Sequence, residues 1–373
     1  MHHKVFISTI KSKSHFITTM SDVPTDVLVN ILSRLPVKSL LQFRTVSKPL
    51  CALIDSPYFV ILHRQRQSMK TDKVLVFSRG VCSSTSAISF CFDSLPTTVR
   101  LEPPIDRTLF PYIIGSCHGF ICFCSWPMGR VILLWNPSTR KYREVPASLD
   151  YPPINSVLKA VDQVGYDHVN NDYKVVRLTQ SGDSVRLDSK VFVYSLNFER
   201  WLPVEQTFPY DFLLVSCRGQ GACVSGAVHW LLNQKPDSDN DYLMVSFDLA
   251  SQSFQSVPLP EFFNNYENID IGVFEGCLCV VGSGGYCVDV WVVGEYEVKE
   301  SWSKLLALTS RVRITCGSPS IRPILYLKNR KEVLLEVYER WFEIYDLEEK
   351  KSKKRMFRAQ SPLSTFVYQD SLA

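Results

Sequence analysis

The chain has 373 residues, 46% of them hydrophobic and 12% aromatic, with a formal net charge of +4. That is enough apolar material for one large packed domain or two, which excludes a wholly disordered chain. The charge is too small to argue for a nucleic-acid partner, and no apolar run reaches the ~18 residues of a membrane span.

Residues 1–20 carry Lys4, Lys11 and Lys13 and no acid, but lack an apolar core or a small-residue cleavage site. They read as a flexible leader, not a secretory signal. Without a signal, the twelve cysteines read as reduced, buried thiols of a cytoplasmic and/or nuclear protein. Their spacing agrees. Cys122 and Cys124 are one residue apart, as are Cys277 and Cys279. On a strand each pair points to one face, and no C-x-x-C pair offers a zinc site.

Residues 21–67 take a helical period. Leu28, Ile31, Leu32 and Leu35 fall at i, i+3, i+4 and i+7, which predicts one apolar stripe on a helix. Pro24 suits its first turn and Asp26 complements its positive end. Pro36 stops this helix and opens a second, with Val37, Leu40, Leu41 and Phe43. Ser47 reads as the N-cap of a third, with Leu50, Leu53 and Ile54 on its apolar face. Ser56-Pro57 repeats the signal ahead of Tyr58, Phe59, Ile61 and Leu62. A unit of three or four short helices buries too little surface to stand comfortably alone. It also carries more leucines than its own core needs. Periodicity leaves two readings open: a helical cap on the rest of the chain, or a docking module whose spare face meets a partner helix.

From Lys73 the period becomes that of strands. An alternating strand, a polar turn and an aromatic or apolar return read "VILLWNPSTRKYREVP" from Val131, "VFVYSLNFERWLPV" from Val191, "MVSFDLASQSFQSVPLP" from Met244 and "FEIYDLEEKKSKK" from Phe342. "VDVWVVGEYEVKESWSKL" from Val288 is a longer variant. Asn136, Asp248 and Asp346 share one turn position, where short polar side chains bond the nearby backbone. Between these copies lies a glycine-containing hairpin: "GSCHGFICF" from Gly115, "GACVSGAVHWLL" from Gly221 and "GVFEGCLCVVG" from Gly272. "VGYDHVNNDYKVVRL" from Val164 and "ILYLKNRKEVLLEV" from Ile324 fill the same slot. Two hairpins per repeat of roughly fifty residues make four strands, the size of a propeller blade. The count is about six units, the first (residues 73–100) poorly marked. A β-sandwich is the alternative architecture.

No constellation for chemistry emerges. His118, His168 and His229 sit in hairpins or their turns, where a structural role is expected. No H-x-H or H-E-x-x-H motif occurs, and no nucleophile, base and acid or carboxylate pair stands out. "GSGGY" (Gly282 to Tyr286) lacks the Lys-Ser/Thr of a phosphate cradle and reads as a loop. The basic run "EEKKSKKRMFRAQ" from Glu348 reads as a solvated turn after a strand. No catalytic residue, metal ligand or cofactor is assigned. Candidate binding residues are loop aromatics beside polar groups: Tyr151, Phe262, Phe263 and Tyr266.

Two stretches resemble known domains. "VPTDVLVNILSRLPVKSLLQFRTVSKPLCALIDSPYFVILH" from Val23 resembles an F-box in its plant form. The likeness lies in the opening proline, I-L-x-x-L-P (Ile31 to Pro36), V-K-S-L-L, V-S-K (Val46 to Lys48) and the close from Pro57 to His63. Val23-Pro24 stands for the usual Leu-Pro, and Leu50 for the usual tryptophan. Residues 110 to 350 resemble the F-box-associated, kelch-like domain of plant F-box proteins, with "LLWNPSTRKYREVP", "GYDHVNNDYKVVRL" and "GAVHWLL" close to its pattern. The resemblance implies a mostly β protein: an F-box over 21–67, then a six-bladed propeller over 70–373 that binds substrate. It implies the substrate-recognition subunit of an SCF-type cullin-RING ubiquitin ligase, with no catalytic centre of its own. Its docking residues would be Pro24, Leu28, Ile31, Leu32, Leu35, Pro36, Leu40, Leu41, Val46 and Leu50. They would meet a Skp-type adaptor, and through it the cullin and RING subunits. The target would be a protein marked for degradation in immune or stress signalling. The alternatives are a propeller-domain enzyme and an F-box scaffold outside ubiquitin transfer.

Overall fold

The computed structural model describes residues 23–67, 73–79, 85–91, 97–102, 104, 110–126, 132–146, 157–182, 187–206, 208, 213–214, 221–233, 242–296, 298–309, 321–327, 330–358 and 363–372. The chain divides into two units. One is the helical head, up to Lys70, together with Gln369–Ala373; the other runs from Thr71 to Tyr368.

The head holds α1 (Thr25–Leu32), α2 (Val37–Phe43), α3 (Lys48–Ile54) and α4 (Pro57–Gln67). Each start follows from local chemistry. Pro24 and Pro36 stand at the N-caps of α1 and α2, one position earlier than the first turn expected for Pro24. Ser47 Oγ accepts the Leu50 N–H at 3.4 Å, and Ser56 Oγ accepts the Phe59 N–H at 3.3 Å. These are the serine caps expected for α3 and α4. Val29, Leu32, Leu40, Leu50, Ile54 and Phe59 form the core, and Leu372 from the segment after the last strand packs against it. His63 in α4 is buried and its Nε2 lies 2.9 Å from the Leu35 carbonyl oxygen. The Arg66 guanidinium donates to the Asn30 carbonyl and side chain, both at 3.1 Å, which ties α4 to α1.

Among the described residues the body forms six antiparallel sheets. In chain order they begin with β1 (Lys73–Arg79), β2 (Thr85–Cys91) and β3 (Thr97–Leu101). Next come β4 (Phe110–Cys117), β5 (Phe120–Trp126), β6 (Ile132–Trp135) and β7 (Tyr142–Val145). The third sheet is β8 (Val157–Asp167), β9 (Asp172–Gly182), β10 (Leu187–Ser195) and β11 (Arg200–Pro203). The fourth joins β12 (Leu213–Leu214), β13 (Ala222–Val224), β14 (Ala227–Asn233), β15 (Tyr242–Asp248) and β16 (Phe254–Val257). The fifth is β17 (Asn268–Phe274), β18 (Cys277–Gly284), β19 (Cys287–Val293) and β20 (Trp302–Thr309). The sixth is β21 (Ile321–Tyr326), β22 (Glu332–Val337), β23 (Trp341–Asp346) and β24 (Lys351–Arg358). The final strand, β25 (Leu363–Tyr368), returns to pair with β1, from Lys73↔Tyr368 to Ser78↔Leu363.

This is a propeller, not a sandwich. The apolar cores lie between sheets that follow one another in the chain: β8–β10 against β14–β16, β13–β16 against β17–β20, β17–β20 against β22–β23. The count needs a correction. Five sheets are each built from one continuous stretch, so there are five such blades where six were expected. The remaining sheet is of another kind, ordered β25-β1-β2-β3 and assembled from both ends of the body. Residues 73–100 were poorly marked because their fourth strand lies at Leu363–Tyr368.

The turns explain why the hairpins form. Outer hairpins begin at Asn136, Asp248 and Asp346, whose Oδ1 atoms each accept two backbone N–H groups two and three residues on, between 2.7 and 3.1 Å. Inner hairpins turn at His118-Gly119, Ser225-Gly226 and Glu275-Gly276, all with positive φ. That is the two-residue turn whose twist matches paired strands, and glycine makes it inexpensive in strain. Cys122, Cys124 and Cys279 are buried core thiols, as their strand spacing implied. "GSGGY" forms the end of β18 and its turn into β19, with Gly285 at φ +59°. The basic run from Glu348 begins as the expected turn, over Glu348–Lys350, but from Lys351 it is strand β24. Lys353 Nζ there lies 2.5 Å from Asp346 and 3.0 Å from Glu332.

Candidate functional site

The head presents apolar side chains to solvent on one ribbon of α1. Ile31 is 55% exposed and Val27 42%, with Val23 just before the helix also exposed. Val27 and Ile31 stand at i and i+4, one stripe of the helix, while Val23 precedes the N-cap and lies outside the helical period. The opposite side of α1 packs inward through Val29 and Leu32. Among the other residues expected to dock, Pro24, Pro36 and Val46 are exposed, and Leu28, Leu35 and Leu41 are half-buried. Leu32, Leu40 and Leu50 are in the core and face no partner. The reason is geometric. Leu28, Ile31 and Leu32 lie on one stripe, but the helix ends at Leu32, before Leu35, and it is the Leu32 edge of that stripe, beside Val29, that turns inward. The sequence reading did not single out Val27. The V-x-x-x-I spacing of Val27 and Ile31 was the signal that could have found the outer stripe.

In the body, the expected loop aromatics separate. Phe263 has no exposed surface; its ring meets Trp302 at 5.5 Å between centroids and serves the core. Phe262 is half-buried, 4.3 Å from the Trp291 ring. Tyr266 is half-buried as well: its hydroxyl donates to the Asp289 carboxylate at 2.7 Å and accepts from Trp291 Nε1 at 3.0 Å. Burial and the Asp289 carboxylate both push the Tyr266 phenol up. Lys304 Nζ sits 2.8 Å from Asp289 and 4.8 Å from the Trp291 ring centre. Phe262, Tyr266, Trp291, Asp289 and Lys304 thus form one half-exposed patch of rings and paired charge, suited to stacking and hydrogen bonding with a protein surface. Gly282 makes room for it, because a Cβ there would fall 2.6 Å from the Tyr266 ring. Tyr151 lies outside the described residues.

The histidines and buried charges hold the fold. His229 is fully buried; its Nδ1 lies 3.1 Å from the Ala222 carbonyl oxygen and its Nε2 2.6 Å from the Tyr296 hydroxyl. A carbonyl only accepts, so Nδ1 carries the proton and Nε2 accepts from the tyrosine. Burial pulls its pKa down to about 4. His118 and His168 stand edge-on to each other and to Tyr166 at inner hairpin turns. Arg177 makes a two-pronged bond to Asp162, at 2.6 and 3.0 Å, and Lys174 meets Asp167 at 2.7 Å. Among the described residues no group of three His, Cys, Asp or Glu side chains could hold a metal ion, and no helix is long and apolar enough to cross a membrane.

Comparison with known proteins accounts for both units. Residues 20–62 match the model of the F-box domain, and residues 65–362 match that of the F-box associated beta propeller domain. The chain is 33% identical to the F-box protein CPR1 of Arabidopsis thaliana, over 89% of this chain and 84% of that one. It is 31% identical to F-box protein At4g22390 of the same plant, over 87% and 84%. Identity to the Arabidopsis F-box/kelch-repeat protein At3g23880 is 28%, over 84% and 85%.

Proposed function

The chain belongs to the F-box proteins with an F-box associated beta propeller domain, and from that premise we propose that it recruits one target protein to an SCF-type ubiquitin ligase. Proteins of this family generally act as substrate adaptors, and an F-box implies binding to a Skp-type adaptor. In our reading the head docks on that adaptor, and through it on cullin and RING subunits, in the cytoplasm and/or nucleus. The body holds the target. The protein has no reaction centre of its own and works by raising the local concentration of target lysines at a remote one.

One observation carries the docking half: the outward Val27–Ile31 stripe on a helix whose other side is already packed, with exposed Val23 just before that helix. An apolar face left in water by so small a unit favours a partner helix over solvent. For the target half we propose the Phe262, Tyr266 and Trp291 patch. The target's setting in immune or stress signalling is carried from the family resemblance.

The test substitutes Val27→Asp with Ile31→Asp, and separately Phe262→Ala. Leu35 is left alone because it packs on the head core. Placing charge on the stripe should cost about 2–4 kcal/mol of adaptor binding, the range of interface hot spots, with no change in helicity. Phe262→Ala should reduce target capture from plant extract and leave adaptor binding intact. A folded double variant that binds the adaptor undiminished would refute the docking half. Intact target capture by Phe262→Ala would move the target face elsewhere on the body.

A further inference from the structure

We propose that the segment Gln369–Leu372 is a working part of the adaptor-docking head, with Leu372 as its anchor; this rests on the adaptor reading above. Leu372 packs against the core of Val29, Leu32, Leu40, Leu50, Ile54 and Phe59. Its neighbour Ser371 is buried, and the run from Gln369 groups with the head rather than with the body. The handover is abrupt. Tyr368, the last residue of β25, is buried among Ile113, Ile121 and Trp135 of the body. The very next residue belongs to the other unit.

The physical case is one of scale. Among the described residues the core that Leu372 joins is a cluster of six buried apolar side chains, on helices of 7 to 11 residues. In so small a unit the edge residues decide whether the core holds. Ordering a chain segment costs conformational entropy, which apolar burial must offset. The core that receives Leu372 is also the one that seats the inner side of α1, through Val29 and Leu32. The outer side of α1 carries Val27 and Ile31. Leu372 is therefore a positioning residue. It packs on the core beneath α1, and so sets how much of the time α1 is seated with the stripe presented. Partner affinity scales with that seated fraction.

The experiment uses the full chain and a purified Skp-type adaptor. Four variants are compared with the unaltered protein: Leu372→Asp, Leu372→Met, Ile31→Asp, and a chain stopped after Tyr368. Adaptor affinity is measured by calorimetry, and amide exchange is followed separately in head and body. Leu372→Asp and the shortened chain should each lose about tenfold or more in affinity, by reducing the seated fraction. Exchange in α1 and α2 should quicken, while β1 and β25 keep their protection. Leu372→Met, which retains the apolar volume, should restore both readouts. Ile31→Asp gives the contrast, losing affinity with head exchange unchanged. If the unaltered chain binds and Leu372→Asp binds equally well, the inference is overturned while the adaptor reading stands. Equal loss of protection in head and body overturns it as well. If the unaltered chain does not bind the adaptor, the adaptor reading fails first.

Discussion

His229 shows how one buried side chain links the body to pH. It is held neutral, donating through Nδ1 to Ala222 and accepting at Nε2 from Tyr296. Its folded pKa of about 4 lies below the ordinary 6.5 because burial penalises the charged ring. The unfolded chain takes up a proton below about pH 6.5, and the folded chain does so only near pH 4. The contribution of this residue is therefore full above pH 6.5 and lost as pH falls between those values, on the order of 3 kcal/mol in all. Urea unfolding at pH 7 and pH 5 should show the body weaker at pH 5, and His229→Gln should flatten that slope. Asp167 acts in a separate, lower window. Burial alone would raise its pKa, but hydrogen bonds from Lys174 and Asn170 outweigh that and set it at about 2. The stability tied to Asp167 is present above the ordinary carboxylate range and is lost as pH falls toward 2, so it leaves the comparison at pH 7 and pH 5 untouched.

At the scale of elements, the hairpin is the unit that local chemistry builds. Asn136 and Asp248 each cap an outer turn through two backbone N–H groups. Alanine at either position strips the turn of both acceptor contacts and should cost about 1–2 kcal/mol. Scanning calorimetry should show that as a melting drop of about 2–4 °C per kcal/mol for a body of this size. An unchanged melting temperature for Asn136→Ala would mean the turn is held by its strands alone. Such turns were legible in the sequence because every interaction that makes them spans two or three residues. The same holds for the serine caps at Ser47 and Ser56 and for the glycine turns of the inner hairpins. What was not legible depends on distant partners. The side of α1 that turns inward is decided by α2, α3, α4 and Leu372, so the spacing of Leu28, Ile31 and Leu32 did not point to Val29 as a core residue. Phe263 and Phe262 are adjacent in sequence and alike in chemistry. Only Trp302 and Trp291, about 30 to 40 residues on, place one in the core and the other at its rim. The fourth strand of the first sheet could not be read from residues 73–100 at all.

For the molecule as a whole, β25 is the strand on which the body's closure depends. It pairs with β1 over six residues, and its Val367 and Phe366 pack beside the cores of the sheets on either side. A chain stopped after Gln360 loses that ladder and leaves both neighbouring cores open, so the body should melt several degrees lower and less cooperatively, each kcal/mol lost costing about 2–4 °C. A shortened body that melts like the intact one would show that the strand is dispensable.

The same ten residues, 363–372, have a consequence for the order in which the protein can come into being. Chains leave the ribosome from the amino end, and domains generally fold as they emerge. Here the first-made sheet waits for β25, the last-made strand of the body, and the still earlier helical head waits for Leu372. Neither unit is finished when its own stretch has been translated. A chain aborted anywhere before Leu363 would present an open sheet edge and an underfilled head at once, surfaces that quality-control machinery removes. Fully packed molecules are then drawn only from chains translated through both marks, a check on length that is built into the topology.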